Sequence, residues 1–409
     1  MSALDTAALL VTLVAVLSYV NLRFIRLPAG IGLMLIALLI SAGVLGLGKL
    51  GIPIENSARR VFESFDFEET LMKGMLGFLL FAGSLHLNLE DLVRERWTIA
   101  FLATVGVVIS TTLVGFATYW LFGWLGHPVS LLECLLFGAI ISPTDPIAVM
   151  GMLKSVGVDK SLEARIAGES LFNDGAAVVV FTALVAIGLG AHESAVASVP
   201  LLILREALGG AAFGFAAGYA AYRVLRTVDN YQVETLITLA VVMGGYSLAG
   251  VLHVSGPIAM VVAGLLIGTR GRQGAMSAHT RQHLFAFWDL LDAFFNAALF
   301  VLIGLELLLI RFSMDFAWAG ALTIPVVLLV RLGVVSVLTV VPALRKTFTP
   351  YVIRMMVWGG LRGGISVAMA LSLPQWSARD TIIAVTYVVV VFSILVQGLT
   401  IRRLAAPAA

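Results

Sequence analysis

The chain has 409 residues, of which 60% are hydrophobic and only 12% charged, with a formal net charge of +2 and a mean hydropathy of +1.02. A soluble domain carries about a quarter of its residues as charges, so this composition excludes an ordinary soluble enzyme and points to a membrane protein. The single cysteine, Cys134, excludes an internal disulfide.

A hydrocarbon core about 30 Å thick needs roughly 20 apolar helical residues per crossing. Thirteen runs meet that demand, approximately residues 5–20, 27–47, 70–88, 98–125, 131–152, 161–190, 200–225, 232–252, 256–269, 284–310, 316–342, 351–373 and 380–401. The expected fold is an all-α polytopic membrane protein. Residues 1–5 carry no basic leader, so the first run is expected to be a true span rather than a cleaved signal. Alternate loops differ in charge: seventeen Lys and Arg fall on one side, seven on the other, and Arg331 and Arg362 lie mid-span. Basic loops stay in the cytoplasm, which places the N-terminus outside and the C-terminus inside. With six residues after Arg403, no cytoplasmic regulatory domain is expected.

An odd number of spans permits two inverted six-helix repeats around a linker helix, a transporter arrangement that pairs span 5 with span 12. Both are interrupted. Span 5 contains Ser142-Pro143-Thr144-Asp145-Pro146, and span 12 contains Gly359-Gly360-Leu361-Arg362-Gly363-Gly364. Each proline lacks the N–H a helix interior needs and disfavours helix in the residue before it, so the chain must open around Thr144 and Asp145. Unwound backbone survives in a bilayer only when buried in protein or lining a wet cavity. The freed carbonyls, the Thr144 hydroxyl and the Asp145 carboxylate are hard oxygen ligands suited to an alkali cation. The alternative is a proline kink in which Asp145 caps the following half-helix.

Span 6 supplies Glu169, Ser170, Asn173 and Asp174, which at helical spacing share one arc of about 140°. Lipid would not tolerate that face, so it looks into the protein, and Asp145 and Asp174 become candidates for one shared Na+ site. Arg362 needs a counter-charge at its depth, and Glu169 is the expected partner in a structural ion pair; the partner of Arg331 is not evident from sequence. In span 10, Asp289, Asp292 and Asn296 recur at three and four residues, either lining a cytoplasmic funnel that concentrates cations or forming a solvated helix end. His279 and His283 are four apart but lack a third ligand, and no metal centre is expected there.

Ser142 to Pro146, Glu169 to Asp174 and Trp358 to Gly364, in this order within thirteen spans, resemble the NhaP-type monovalent cation:proton antiporters, relatives of the sodium/hydrogen exchangers. The resemblance covers essentially the whole chain. It implies a homodimer in a prokaryotic cell membrane, with a core bundle of approximately spans 4–6 and 11–13 and the remaining spans for dimerisation. It also implies that the broken helices cross beside the ion and that Asp174 carries cation and proton in turn, with Asp145, Thr144 and Ser170 around the ion. Asn173, beside the carrier, resembles the electroneutral branch, whereas electrogenic relatives place a second aspartate there; Glu169 with Arg362 resembles the family's stabilising pair.

The expected function is therefore exchange of Na+, and of Li+, for H+ by alternating access, with cation and proton competing for one buried aspartate. Neither cofactor nor nucleic acid enters the scheme. Three rivals remain open: a K+/H+ antiporter of the same fold, a cation channel, and an intramembrane hydrolase using Ser170. The last lacks a histidine base at that depth, so enzyme activity is not expected.

Overall fold

The computed structural model describes residues 3–405 apart from 53–58, 61, 63–66, 128, 147–149, 151–152, 154–157, 191–192, 271–275, 311–312 and 341–346. The described residues are almost entirely helical. In chain order the principal helices are α1 (Ala3–Val20), α2 (Ala29–Lys49), α3 (Leu76–His86), the short α4 (Leu89–Arg94), α5 (Gly106–Trp124), α6 (Leu131–Ile141), α7 (Lys160–Gly188) and α8 (Glu193–Leu225). They continue with α9 (Tyr231–Val251), α10 (Gly256–Arg270), α11 (Ala278–Glu306), α12 (Met314–Val337), α13 (Pro350–Gly359), α14 (Gly364–Leu371) and α15 (Arg379–Phe392).

Among the described residues each expected span carries helix, interrupted at 142–146 in span 5 and at 360–363 in span 12. Eight continuous helical stretches among the described residues are long and apolar enough to cross a bilayer alone, and Thr70–His86, Leu131–Ile141 and Gly256–Thr269 are shorter apolar helices. Length and composition thus fix a multi-pass membrane protein without fixing the count at thirteen.

The helix ends follow local chemistry. Ser130 and Glu133 form a reciprocal capping box at the start of α6. At the start of α13, the Thr349 side chain accepts the Val352 N–H and Pro350 occupies the first turn. Small residues set the closest helix contacts: α8 packs on α10, and α10 on α3. A Cβ at Gly214 would strike the backbone of Ala259, and one at Gly264 would strike Phe81 and Ser84, so bulk at either position would part these helices.

Both interrupted spans are broken where the prolines and glycines require. α6 stops at Ile141 and the chain runs extended through Asp145, while the second half of this span lies largely outside the described residues. α13 stops at Gly359 and α14 restarts at Gly364. The two gaps meet: Asp145 N–H donates to the Leu361 carbonyl at 2.7 Å in an isolated antiparallel bridge. An antiparallel contact is what two segments crossing in opposite directions must make. A π-helical turn, Ser393–Gln397, extends α15 beside the second gap. There Ser393 Oγ accepts the Arg362 N–H at 2.9 Å and donates to Gln397 Oε1 at 2.7 Å.

Candidate cation site

Each proline in the first gap leaves a helix carbonyl without its usual donor, and the protein fills both vacancies. Ala139 O would receive the missing N–H of residue 143 and instead accepts Ser142 Oγ at 3.1 Å. Ser142 O would receive that of residue 146 and instead accepts Arg362 Nη1 at 2.8 Å. The same nitrogen reaches Pro143 O at 2.9 Å. Arg362, only 5% exposed, therefore serves the opened backbone of the opposite half.

This placement corrects the expected Glu169–Arg362 ion pair. Glu169 is bound in fork fashion by Arg331, with Nη1 to Oε1 and with Nη2 to Oε2 at 2.8 Å. Arg331 Nη2 also donates to Met356 O at 3.1 Å, tying α7, α12 and α13 together. Two opposed forks satisfy a buried carboxylate, and it is Arg331 that supplies them, while Arg362 turns its Nη1 to the carbonyls. The three groups still form one buried charge cluster, since Arg362 feels both Glu169 and Arg331. Glu169 consequently faces away from the ion position that the sequence also allowed it.

The remaining side chains converge. Thr144 Oγ1 and Ser170 Oγ are 2.9 Å apart. Asn173 Nδ2 donates to Thr144 Oγ1 at 2.9 Å, and Thr144 N–H points to Asn173 Oδ1 at 3.4 Å. Asn173 thus clamps the unwound residue from both sides, behind the site. Thr144, Asp145, Ser170 and Asp174 line one cavity of about 730 Å³, which also reaches Gly363 and Ser366 of the second broken span. Asp174 is 8% exposed, and the charge of Asp145 acts on it directly. Gly363 must lack a side chain because a Cβ there would fall on the Asp145 carboxylate. The start of α14 accordingly abuts that carboxylate, where a helix N-terminus favours negative charge.

The cavity opens past Asp292 and Asp289 of α11 toward Asn88, Asp91, Lys160 and Glu163. Asp289 and Asp292 therefore line its path, and Asp289 is 3.2 Å from His86 Nε2. Asn296, 7% exposed, is buried against Asp292 rather than among the lining residues. Sequence reasoning missed Arg331 as the partner of Glu169, Ser366 in the cavity wall, and His86 at its mouth. Arg331 carried one usable signal, its depth in span 11, because two mid-span arginines compete for one mid-span glutamate.

The donor set is all oxygen: two carboxylates and two hydroxyls, with backbone carbonyls nearby. It suits a hard monovalent cation or a proton and offers nothing to soft metals. Among the described residues no cluster of three His, Cys, Asp or Glu groups is arranged to hold a metal ion.

Comparison with known proteins gives the family and the fold. A family model described as sodium/hydrogen exchanger, transmembrane, matches residues 9–406. The Na(+)/H(+) antiporter NhaP of Pseudomonas aeruginosa is 49% identical over 98% of this chain and 96% of its own length. The Na(+)/H(+) antiporter NhaH of Halobacillus dabanensis is 35% identical over 93% and 92%. A solved structure of the sodium proton antiporter MjNhaP1 from Methanocaldococcus jannaschii at pH 8 shares the fold, with a TM-score of 0.75 over 99% of this chain and 98% of that one, at 18% identity. With its broken helices crossed beside Asp145 and Asp174 and its sequence matched almost from end to end, the chain belongs to the sodium/hydrogen exchanger family.

Proposed function

We propose that the protein is a secondary carrier, not an enzyme, which exchanges one Na+ for one H+ across the membrane. The observation that carries this reading is the convergence of Asp145, Asp174, Thr144 and Ser170 on one cavity at the crossing of the two broken spans. Asp174 holds either a proton or a cation, because two ionised carboxylates sharing a confined site repel each other until one is neutralised. Asp145, Thr144 and Ser170 supply oxygens in place of the ion's water. Reorientation follows once the charge on Asp174 is balanced by either ligand, which couples the two fluxes. The same chemistry accepts Li+, and K+ is the competing substrate if the site relaxes to a larger radius.

Electroneutrality rests on a shortage of titrating groups. Asn173 adds no second carboxylate, and both oxygens of Glu169 are committed to Arg331. Spans 4–6 and 11–13 form the moving core, the other spans form the scaffold of a homodimer, and the N-terminus lies outside the cell membrane. In proteoliposomes, sodium-driven proton flux should proceed without a permeant counter-ion, and an imposed potassium/valinomycin potential should shift neither its rate nor its end point. A reversal point that follows the imposed voltage defeats the one-for-one assignment, because each net charge moved would feel about 2.3 kcal/mol per 100 mV. Proton flux driven by K+ but not by Na+ would instead reassign the cation.

A further inference from the structure

The second gap removes a helical hydrogen bond whose two ends both stay buried. In a continuous helix the Arg362 N–H would donate to the Trp358 carbonyl, four residues back. Here the Arg362 N–H donates to Ser393 Oγ at 2.9 Å, the Ser393 hydroxyl donates to Gln397 Oε1 at 2.7 Å, and Gln397 Nε2 donates to the Trp358 carbonyl at 3.2 Å. Two side chains of the last helix thus stand, in series, inside the bond that the break removed. Only one polarity satisfies this chain. Ser393 Oγ, having accepted a main-chain N–H, must give its own proton to an acceptor, which turns Oε1 of Gln397 toward it. The Trp358 carbonyl can only accept, and the amide nitrogen of Gln397 is left to supply it.

Both side chains are enclosed, Ser393 at 1% and Gln397 at 3% exposure. They occupy the two ends of the π-helical turn, and Thr400 adds a third polar group by accepting Trp358 Nε1–H at 2.9 Å. Residues 393, 397 and 400 are the polar side chains of the otherwise apolar run 388–401. Water has little room to take their place, since the space beside Gln397, between Arg331, Gly360 and Arg362, is a cavity of about 10 Å³, enough for one water at most. The gap they span bears directly on the cation site. A Cβ at Gly360 would lie 3.2 Å from the Thr144 methyl, one at Gly363 would fall on the Asp145 carboxylate, and the Leu361 carbonyl between them accepts the Asp145 N–H. If the 358–362 bond re-formed, the gap would contract toward the helical rise and these three contacts would shift together.

We propose that Ser393 and Gln397 are positioning residues for the cation: their bonded pair replaces the broken 358–362 bond, holds the second span open at the length the site needs, and so sets the affinity for Na+ without touching the ion. Neither side chain lines the transport cavity. Their role rests on Na+ binding at the crossing, as proposed for the exchange, and extends that site to a helix that contributes nothing to its wall. The pair acts through Gly360, Leu361 and Gly363, which transmit its spacing to Thr144 and Asp145.

Initial rates of sodium-driven proton flux in proteoliposomes, read across Na+ concentration, test this. Ser393→Ala and Gln397→Met each leave a buried main-chain group unpaired, so each should raise the half-saturating Na+ concentration by about tenfold, with a much smaller effect on the maximal rate. Ser393→Thr keeps the hydroxyl and should keep the wild-type value. The double variant should be no worse than either single one, because one removal already opens the chain of bonds. Unchanged half-saturation in both single variants overturns the proposal, even if their melting temperatures fall. Where those variants do not fold, a cryo-EM structure of the wild type in nanodiscs decides: the Ser393–Gln397 pair between Arg362 N–H and the Trp358 carbonyl is the expected result, and a direct bond between those two groups overturns the proposal. Absence of sodium-driven flux in the wild type would count against the exchange reading instead, and the Na+ concentration giving half-maximal protection from thermal unfolding then serves as the measure for the same variants.

Discussion

The two broken spans achieve the same interruption by opposite chemistry. The first is opened by prolines, which delete N–H groups and leave carbonyls facing inward; the second is opened by glycines, which leave room and flank an arginine. One gap is rich in acceptors and carries Asp145, while the other brings the donor that the first lacks, Arg362 Nη1 to Ser142 O and Pro143 O at 2.8 and 2.9 Å. Neither gap is satisfied alone, so the crossing is held together by the defects it contains. Confined to one side of the crossing, the two carboxylates face the cavity; the Glu169–Arg331 fork and the body of Arg362 lie behind it. In the proposed exchange, this separation of labile acid from locked charge lets the first titrate while the second keeps the helices in register.

The largest effect expected from disturbing this division is on the labile side. Asp174→Asn removes the group proposed to alternate between cation and proton. Sodium-driven proton flux in proteoliposomes should fall to that of empty vesicles, with the protein still folded by size exclusion and thermal melting. Substantial flux from this variant would move the carrier role to another carboxylate, Asp145 first.

On the locked side the effect should be on stability. Removing one partner from a buried ion pair leaves the other uncompensated, at a cost of about 3 to 5 kcal/mol. Glu169→Ala and Arg331→Ala should each lower the melting temperature sharply, while the double variant should be little worse than either. Glu169→Ala with Arg362→Ala should be closer to additive, because Arg362 is held mainly by carbonyls. Additive losses for Glu169 with Arg331 would show that the fork does not persist in the bilayer.

The contrast also explains what was legible in the sequence. The positions of both breaks, and the shared face of Asp174 and Ser170, follow from local rules, because proline, glycine and helical periodicity act over a few residues. The choice between Arg331 and Arg362 for Glu169 is a contact between distant spans, with no local mark. Reading one buried pair from one acid and the glycine-flanked arginine selected the wrong donor. The prolines implied freed carbonyls, but not that an arginine 220 residues away in the chain would serve one of them. Similarly, Asp289, Asp292 and Asn296 share a helical face, yet only the two aspartates line the cavity. Periodicity defines a face; neighbouring helices decide how much of it is wet.

The smallest effect expected lies one helical turn from the locked charges, toward the start of the same helix. Arg165 precedes Glu169 by four residues and grips Glu95, with Nε to Oε2 at 2.7 Å and Nη2 to Oε1 at 3.1 Å. Ser161 Oγ adds a bond to Oε1 at 2.6 Å, and the guanidinium also lies over the Phe348 ring, 5.1 Å from its centroid. Burial pushes the Glu95 carboxyl up, but Arg165 and Ser161 together outweigh it, and the group is held below the usual carboxylate range. A depressed folded-state value means that the unfolded chain binds the proton more readily, so the pair stabilises the fold above the ordinary glutamate value of about 4.3. That contribution disappears as pH falls through the folded-state value. Glu95→Gln should therefore lower the melting temperature modestly at pH 7, and the gap from the wild type should narrow below about pH 4.3. Lying in the first two turns of α7, the pair should also weaken with added salt, whereas the Glu169–Arg331 fork, deeper along that helix, should not. An equal salt response from both pairs would mean that water reaches Glu169, and the division between locked and labile charge would have to be redrawn.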